Sequence, residues 1–68
     1  MNKTLVIEGM TCGHCAAHVE RALNALPGVL AKVDLQRKEA RVEAAAEVSD
    51  EVLRQAVQNA GYEVVAIR

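Results

Sequence analysis

The chain has 68 residues and a net charge of −1, with eight Lys and Arg against nine Asp and Glu. A domain of this size buries only about 60% of the surface its unfolded chain exposes. There is no Trp, no Phe and one Tyr. The charges are interspersed, so the chain offers neither the basic stripe nor the aromatic platforms of a nucleic-acid binder. No stretch approaches the ~20 apolar residues of a membrane-spanning helix, and residues 1–8 lack the apolar run of a secretory signal. Met1 points to a native start and the cytoplasm is the expected compartment. There, a close Cys pair points to metal binding or catalysis rather than a structural disulfide.

Lys3 to Glu8 is expected to be a strand, with Leu5 and Ile7 on one face and Thr4 and Val6 on the other. Gly9 to Gly13 is a loop. From His14 the period lengthens. Val19, Ala22, Leu23 and Leu26 fall at the spacing of a helix with one buried stripe, which Pro27-Gly28 stops. Val29 to Gln36 alternates again, with Val29, Ala31, Val33 and Leu35 on one side. Arg37-Lys38 supplies a polar turn, and Glu39 to Ala45 sets Ala40, Val42 and Ala44 against Glu39, Arg41 and Glu43. The two segments predict a hairpin, although the turn lacks the favoured Asn-Gly pair. Ser49 is a good N-cap, and Asp50 and Glu51 suit the positive end of a helix. Leu53, Ala56, Val57 and Ala60 carry its apolar stripe, Gly61 fits the stop, and Tyr62 to Ile67 is the last strand.

The order is βαββαβ in a single domain, 1–68, without linker or repeat. Two helices with one apolar stripe each can cover one face of a four-stranded antiparallel sheet. That is the α+β, ferredoxin-like split βαβ sandwich.

The run Gly9-Met10-Thr11-Cys12-Gly13-His14-Cys15 holds the only two cysteines. Cys12 falls in the loop and Cys15 in the first helical turn, so a three-residue step can bring both sulfurs to one point. The unsatisfied N–H groups and positive dipole of the helix start favour thiolate over thiol. Such a pair can grip a soft metal ion or shuttle electrons. Cu(I) is soft with a filled d shell, so two sulfurs suffice, and the resulting −1 complex suits the helix end. Structural Zn²⁺ usually takes four ligands. His14 and His18 could complete such a set, but His14 lies inside the Cys-to-Cys step and the spacing matches no finger pattern. Cys-Gly-His-Cys is also the active-site tetrapeptide of thioredoxin-like disulfide isomerases. Here Thr11 stands where that family has Trp, the chain is short for that fold, and Pro27 lies at a helix end.

Set between a strand and a helix, the run resembles the GMTCxxC signature of heavy-metal-associated domains. These include small cytosolic copper chaperones and the N-terminal metal-binding domains of copper-transporting P-type ATPases. The resemblance covers nearly the whole chain, through the Leu-Pro-Gly-Val step at Leu26 to Val29 and the Gly61-Tyr62 pair. It implies that Cys12 and Cys15 are metal ligands and that Met10 turns inward to support the loop. It implies copper rather than zinc, because Thr11 sits where zinc and cadmium pumps often carry Asp. Tyr62 matches the Tyr that bacterial copper chaperones place near the loop. Read without the resemblance, Met10 and Tyr62 are core residues. His18 is either an exposed helix residue or an accessory ligand that bridges two copies sharing copper. His14 is an accessory that tunes the thiols, and Arg21 and Lys32 are solvated or docking charges.

The function these readings imply is a non-enzymatic cytoplasmic chaperone for Cu(I). It would pass copper by thiolate exchange to the metal-binding domain of a copper-transporting P-type ATPase. It is expected to be a monomer when apo and a copper-bridged dimer when two copies share the ion, with a copper-responsive repressor as a second partner. The other readings are the N-terminal domain of such an ATPase, which the ends at Met1 and Arg68 disfavour, a mercury-binding carrier, and a thiol-disulfide oxidoreductase.

Overall fold

The computed structural model describes residues 1–68. Its elements run β1 (Asn2–Glu8), α1 (Gly13–Asn24), β2 (Val29–Asp34), β3 (Glu39–Ala44), α2 (Asp50–Asn59) and β4 (Glu63–Ile67). The strands form one antiparallel sheet in the order β2-β3-β1-β4, so β2 and β4 are its edges. α1 packs over β2, α2 over β4, and the helices meet each other. This is the ferredoxin-like sandwich expected from the periodicity.

Alternation along the strands decides which face is covered. Leu5 and Ile7, Val29 and Ala31, Ala40 and Val42, and Val64 are buried beneath Val19 and Leu23 of α1 and Leu53, Ala56 and Val57 of α2. All 13 buried residues are apolar, so the core has no polar group to satisfy. Each large one contributes roughly 1.5–3 kcal/mol through apolar area removed from water. The opposite face of the sheet is open, with Lys32, Arg41 and Glu43 on it and Leu30 59% exposed.

Several boundaries differ from expectation. α1 ends at Asn24, short of Leu26. Leu26 precedes Pro27, whose ring disfavours helical backbone at the residue before it. β2 stops at Asp34 rather than Gln36, and the hairpin turn takes four residues, Leu35–Lys38. Asp34 Oδ1 accepts the Arg37 N–H at 3.2 Å, and Lys38 adopts φ 55°, the left-handed conformation that closes the turn. β3 ends at Ala44, one residue early. Ser49 caps α2 as expected, accepting the Val52 N–H at 3.3 Å. β4 begins at Glu63, and Tyr62 lies before it. Its pairing with β1 shifts register between Val6 and Ile7, so Val65 is the extra, exposed residue of a bulge.

Candidate metal centre

The loop between β1 and α1 is shaped by two residues around its cysteines. Gly9 leaves β1 at φ +97°, a conformation that L side chains rarely adopt. Met10 then turns into the core, 1% exposed, and pins the loop from below. It is a member of the hydrophobic core. Thr11, Cys12, Gly13 and His14 are exposed and Cys15 is half-buried.

Cys12 is the N-cap of α1, in extended conformation, and Cys15 sits in the first turn. The two Sγ atoms lie 3.2 Å apart, and both thiols are free. No side chain caps this helix start and no acidic residue occupies its first turn, in contrast to α2 with Ser49, Asp50 and Glu51. The first-turn N–H groups therefore remain available to negative charge at the sulfurs.

Tyr62 reaches the thiols through the end of α2. The Gly61 N–H donates to the Gln58 carbonyl at 2.9 Å, and the Tyr62 N–H donates to the Val57 carbonyl at 3.2 Å. With Gly61 at φ +96°, this is a Schellman C-cap, and it turns the chain so that Tyr62 leaves toward the loop. The Tyr62 ring packs against Gly9, where an added Cβ would stand 3.4 Å from Cδ1. The Tyr62 hydroxyl, which favours the Cys15 thiolate, is the main reason that thiol falls from 9.0 to about 6. The backbone at Thr11, the Cys12 thiol and the Cys12 backbone add to the fall, against partial burial. The Tyr62 hydroxyl is raised in return, because the neighbouring Cys15 thiolate, partial burial and the charge of both cysteines disfavour its ionised form.

His14 and His18 both lie exposed on α1. No group of three or more His, Cys, Asp or Glu side chains is placed to hold a metal ion, so neither joins the two thiols as a third ligand in this geometry. A shallow cleft of about 440 Å³ adjoins the loop, lined by Glu8, Gly9, Gln58, Gly61, Tyr62 and Glu63, and includes neither cysteine. Sequence reasoning assigned Gly9 no role of its own. A glycine directly after a strand was the available signal, but its contact with Tyr62 spans more than fifty residues of chain.

The heavy-metal-associated domain profile matches residues 4–63. The copper chaperone CopZ of Staphylococcus haemolyticus is 42% identical over 66 residues, covering 94% of this chain and 97% of that protein. The copper-exporting P-type ATPase of Mycobacterium tuberculosis is 44% identical over 59 residues, covering 87% of this chain but only 8% of the ATPase. Among solved structures, a CopZ metallochaperone superimposes with a TM-score of 0.88 at 37% identity, covering 96% of this chain and all of that one. The N-terminal domain of PacS from Synechocystis gives 0.83 at 33% identity, covering all of this chain and 94% of that one. No helix is long and apolar enough to cross a membrane. Matched over most of its length in sequence and in fold, the chain belongs to the heavy-metal-associated domain family.

Proposed function

We propose that residues 1–68 act as one cytoplasmic Cu(I)-carrying domain, with Cys12 and Cys15 as the ligands and no catalysed change in any substrate. The observation that carries this reading is the pair of free sulfurs 3.2 Å apart at an uncapped helix start, one of them with its thiol lowered to about 6. Two soft thiolates satisfy a monovalent soft ion. An ion bonded to both at about the zinc–thiolate length of 2.3 Å would be sharply bent at the present separation. The pair therefore opens as the ion enters. Cys12 is the sulfur free to move, since it is exposed, whereas Cys15 is half-buried against the core.

Release follows the same path. A thiolate of an incoming CxxC site adds to the copper, giving three sulfurs around it. The Cys12–copper bond then breaks, the second thiolate of the partner site adds, and the Cys15–copper bond breaks last. Copper stays Cu(I) throughout and no electron moves. Relatives named as copper-transporting ATPases carry a matching domain, which supports such a domain as the acceptor. A copper-responsive repressor is a second candidate acceptor. His18, exposed one turn from Cys15, would act only where two copies share copper.

The test is titration of reduced protein with Cu(I) against a competing chelator. Wild type should compete, and Cys12→Ser/Cys15→Ser should not. Retained affinity in the double variant removes the site. Zn²⁺ that displaces Cu(I) at equal concentration removes the metal assignment. Identical copper-induced dimerisation of His18→Ala and wild type removes that residue from the site.

A further inference from the structure

The two edges of the sheet are built differently. On β2 the odd-numbered residues turn their backbone groups away from β3, toward the outside. The Ala31 N–H donates to Asn24 Oδ1 at 2.7 Å, and Asn24 Nδ2 donates to the Ala31 carbonyl at 3.2 Å. The Val33 N–H donates to Glu20 Oε2 at 3.2 Å, and the Val29 N–H to the Leu26 carbonyl at 3.2 Å. The Asn24 amide thus stands where the peptide of a neighbouring strand would stand. Glu20 and Asn24 lie one turn apart on α1, which runs along this edge. No side chain makes a comparable bond to β4, where the register shift at Val65 distorts the strand instead.

β2 has reason to need such cover. It pairs with β3 in unbroken register over six residues and contains no proline. It is also self-complementary. Placed antiparallel to a second β2 with Ala31 opposite Ala31, it sets Val29 opposite Val33, and apart from the Val29 N–H, which the Leu26 carbonyl takes, these backbone groups point outward into the new ladder. Leu30, 59% exposed, then lies across from the aliphatic stem of Lys32, and no like charges face each other.

We propose that Glu20 and Asn24 guard the β2 edge and hold the chain monomeric, and that the surface they cover fits β2 of a second copy. Neither residue belongs to the cysteine loop, so the inference stands apart from the copper reading.

Hydrogen exchange of the unmodified chain gives the first test. The Ala31 and Val33 amides should exchange about tenfold or more slowly than Ile67, whose N–H faces outward from β4. Equal exchange overturns the guard. Sedimentation of Glu20→Ala/Asn24→Ala under reductant, from micromolar to millimolar, gives the second. The expected result is a concentration-dependent dimer, while Glu20→Gln, which keeps an acceptor, stays monomeric. Adding Leu30→Lys to the double variant sets a cation against Lys32 of the second copy and should restore the monomer. A folded double variant that remains monomeric refutes the proposal, as does association indifferent to Leu30→Lys. Should the double variant fail to fold, the exchange measurement decides.

Discussion

Replacing Tyr62 by Phe removes one oxygen and keeps the ring against Gly9. Four contacts lower the Cys15 thiol from 9.0 to about 6, and the Tyr62 hydroxyl is the largest of them. Losing it should raise Cys15 by about one pH unit or more. At pH 7 the wild-type thiol is then about nine-tenths ionised and the variant about half. A more basic thiolate is also a better nucleophile, by about threefold for each pH unit. The two effects oppose each other, and at pH 6 the variant should react only about twofold more slowly. The informative assay is therefore the whole profile: iodoacetamide alkylation of Cys15, followed by peptide mapping from pH 4 to 10. The midpoint should move from about 6 to about 7, and the high-pH plateau should rise about threefold. An unchanged midpoint, with the ring still docked by NMR, would refute the assignment of the low thiol pKa to the hydroxyl.

Gly61→Ala forces a side chain onto φ +96° where nothing lies within 4 Å, so its cost is backbone strain of about 1–2 kcal/mol in denaturant unfolding. Because the same cap aims Tyr62, Gly61→Ala should also raise the Cys15 alkylation midpoint. Lys38→Gly relieves the left-handed residue of the β2–β3 turn and should stabilise the chain by about 0.5–1 kcal/mol. The folded Cys15 thiol is lowered to about 6, below its ordinary value of 9.0, so ionisation favours the fold. That contribution is complete above pH 9, declines as pH falls toward 6 and is absent below it. Urea midpoints of reduced apo protein should rise between pH 6 and 9, and Tyr62→Phe should flatten the rise. A flat wild-type curve contradicts the linkage.

Local sequence patterns determined much of this protein. Period-two alternation at Leu5 and Ile7, and at Ala40 and Val42, chose the buried face of each strand. The helical stripes at Val19 and Leu23, and at Leu53 and Val57, chose the faces that cover it. The Cys12–Cys15 spacing after β1 placed two sulfurs at a helix start, because a few residues of backbone span that distance whatever the rest of the chain does. Ser49 and Gly61 bounded α2 by capping chemistry that needs only near neighbours.

What the tertiary structure decided concerns partners distant in sequence. Tyr62 read as the first residue of a strand. It belongs to the helix cap, and it meets Gly9 and Cys15 only because β4 lies beside β1 in the sheet. The lowered Cys15 thiol depends on that meeting. Glu20 and Asn24 carried no signal of their own, being polar residues beside an apolar stripe. Their bonds to Val33 and Ala31 exist because α1 lies along the one edge that the sheet order leaves open at β2. Periodicity states which side of an element is apolar. It does not state which element will lie beside it, and both the tuning of the thiol and the cover of the edge depend on that adjacency.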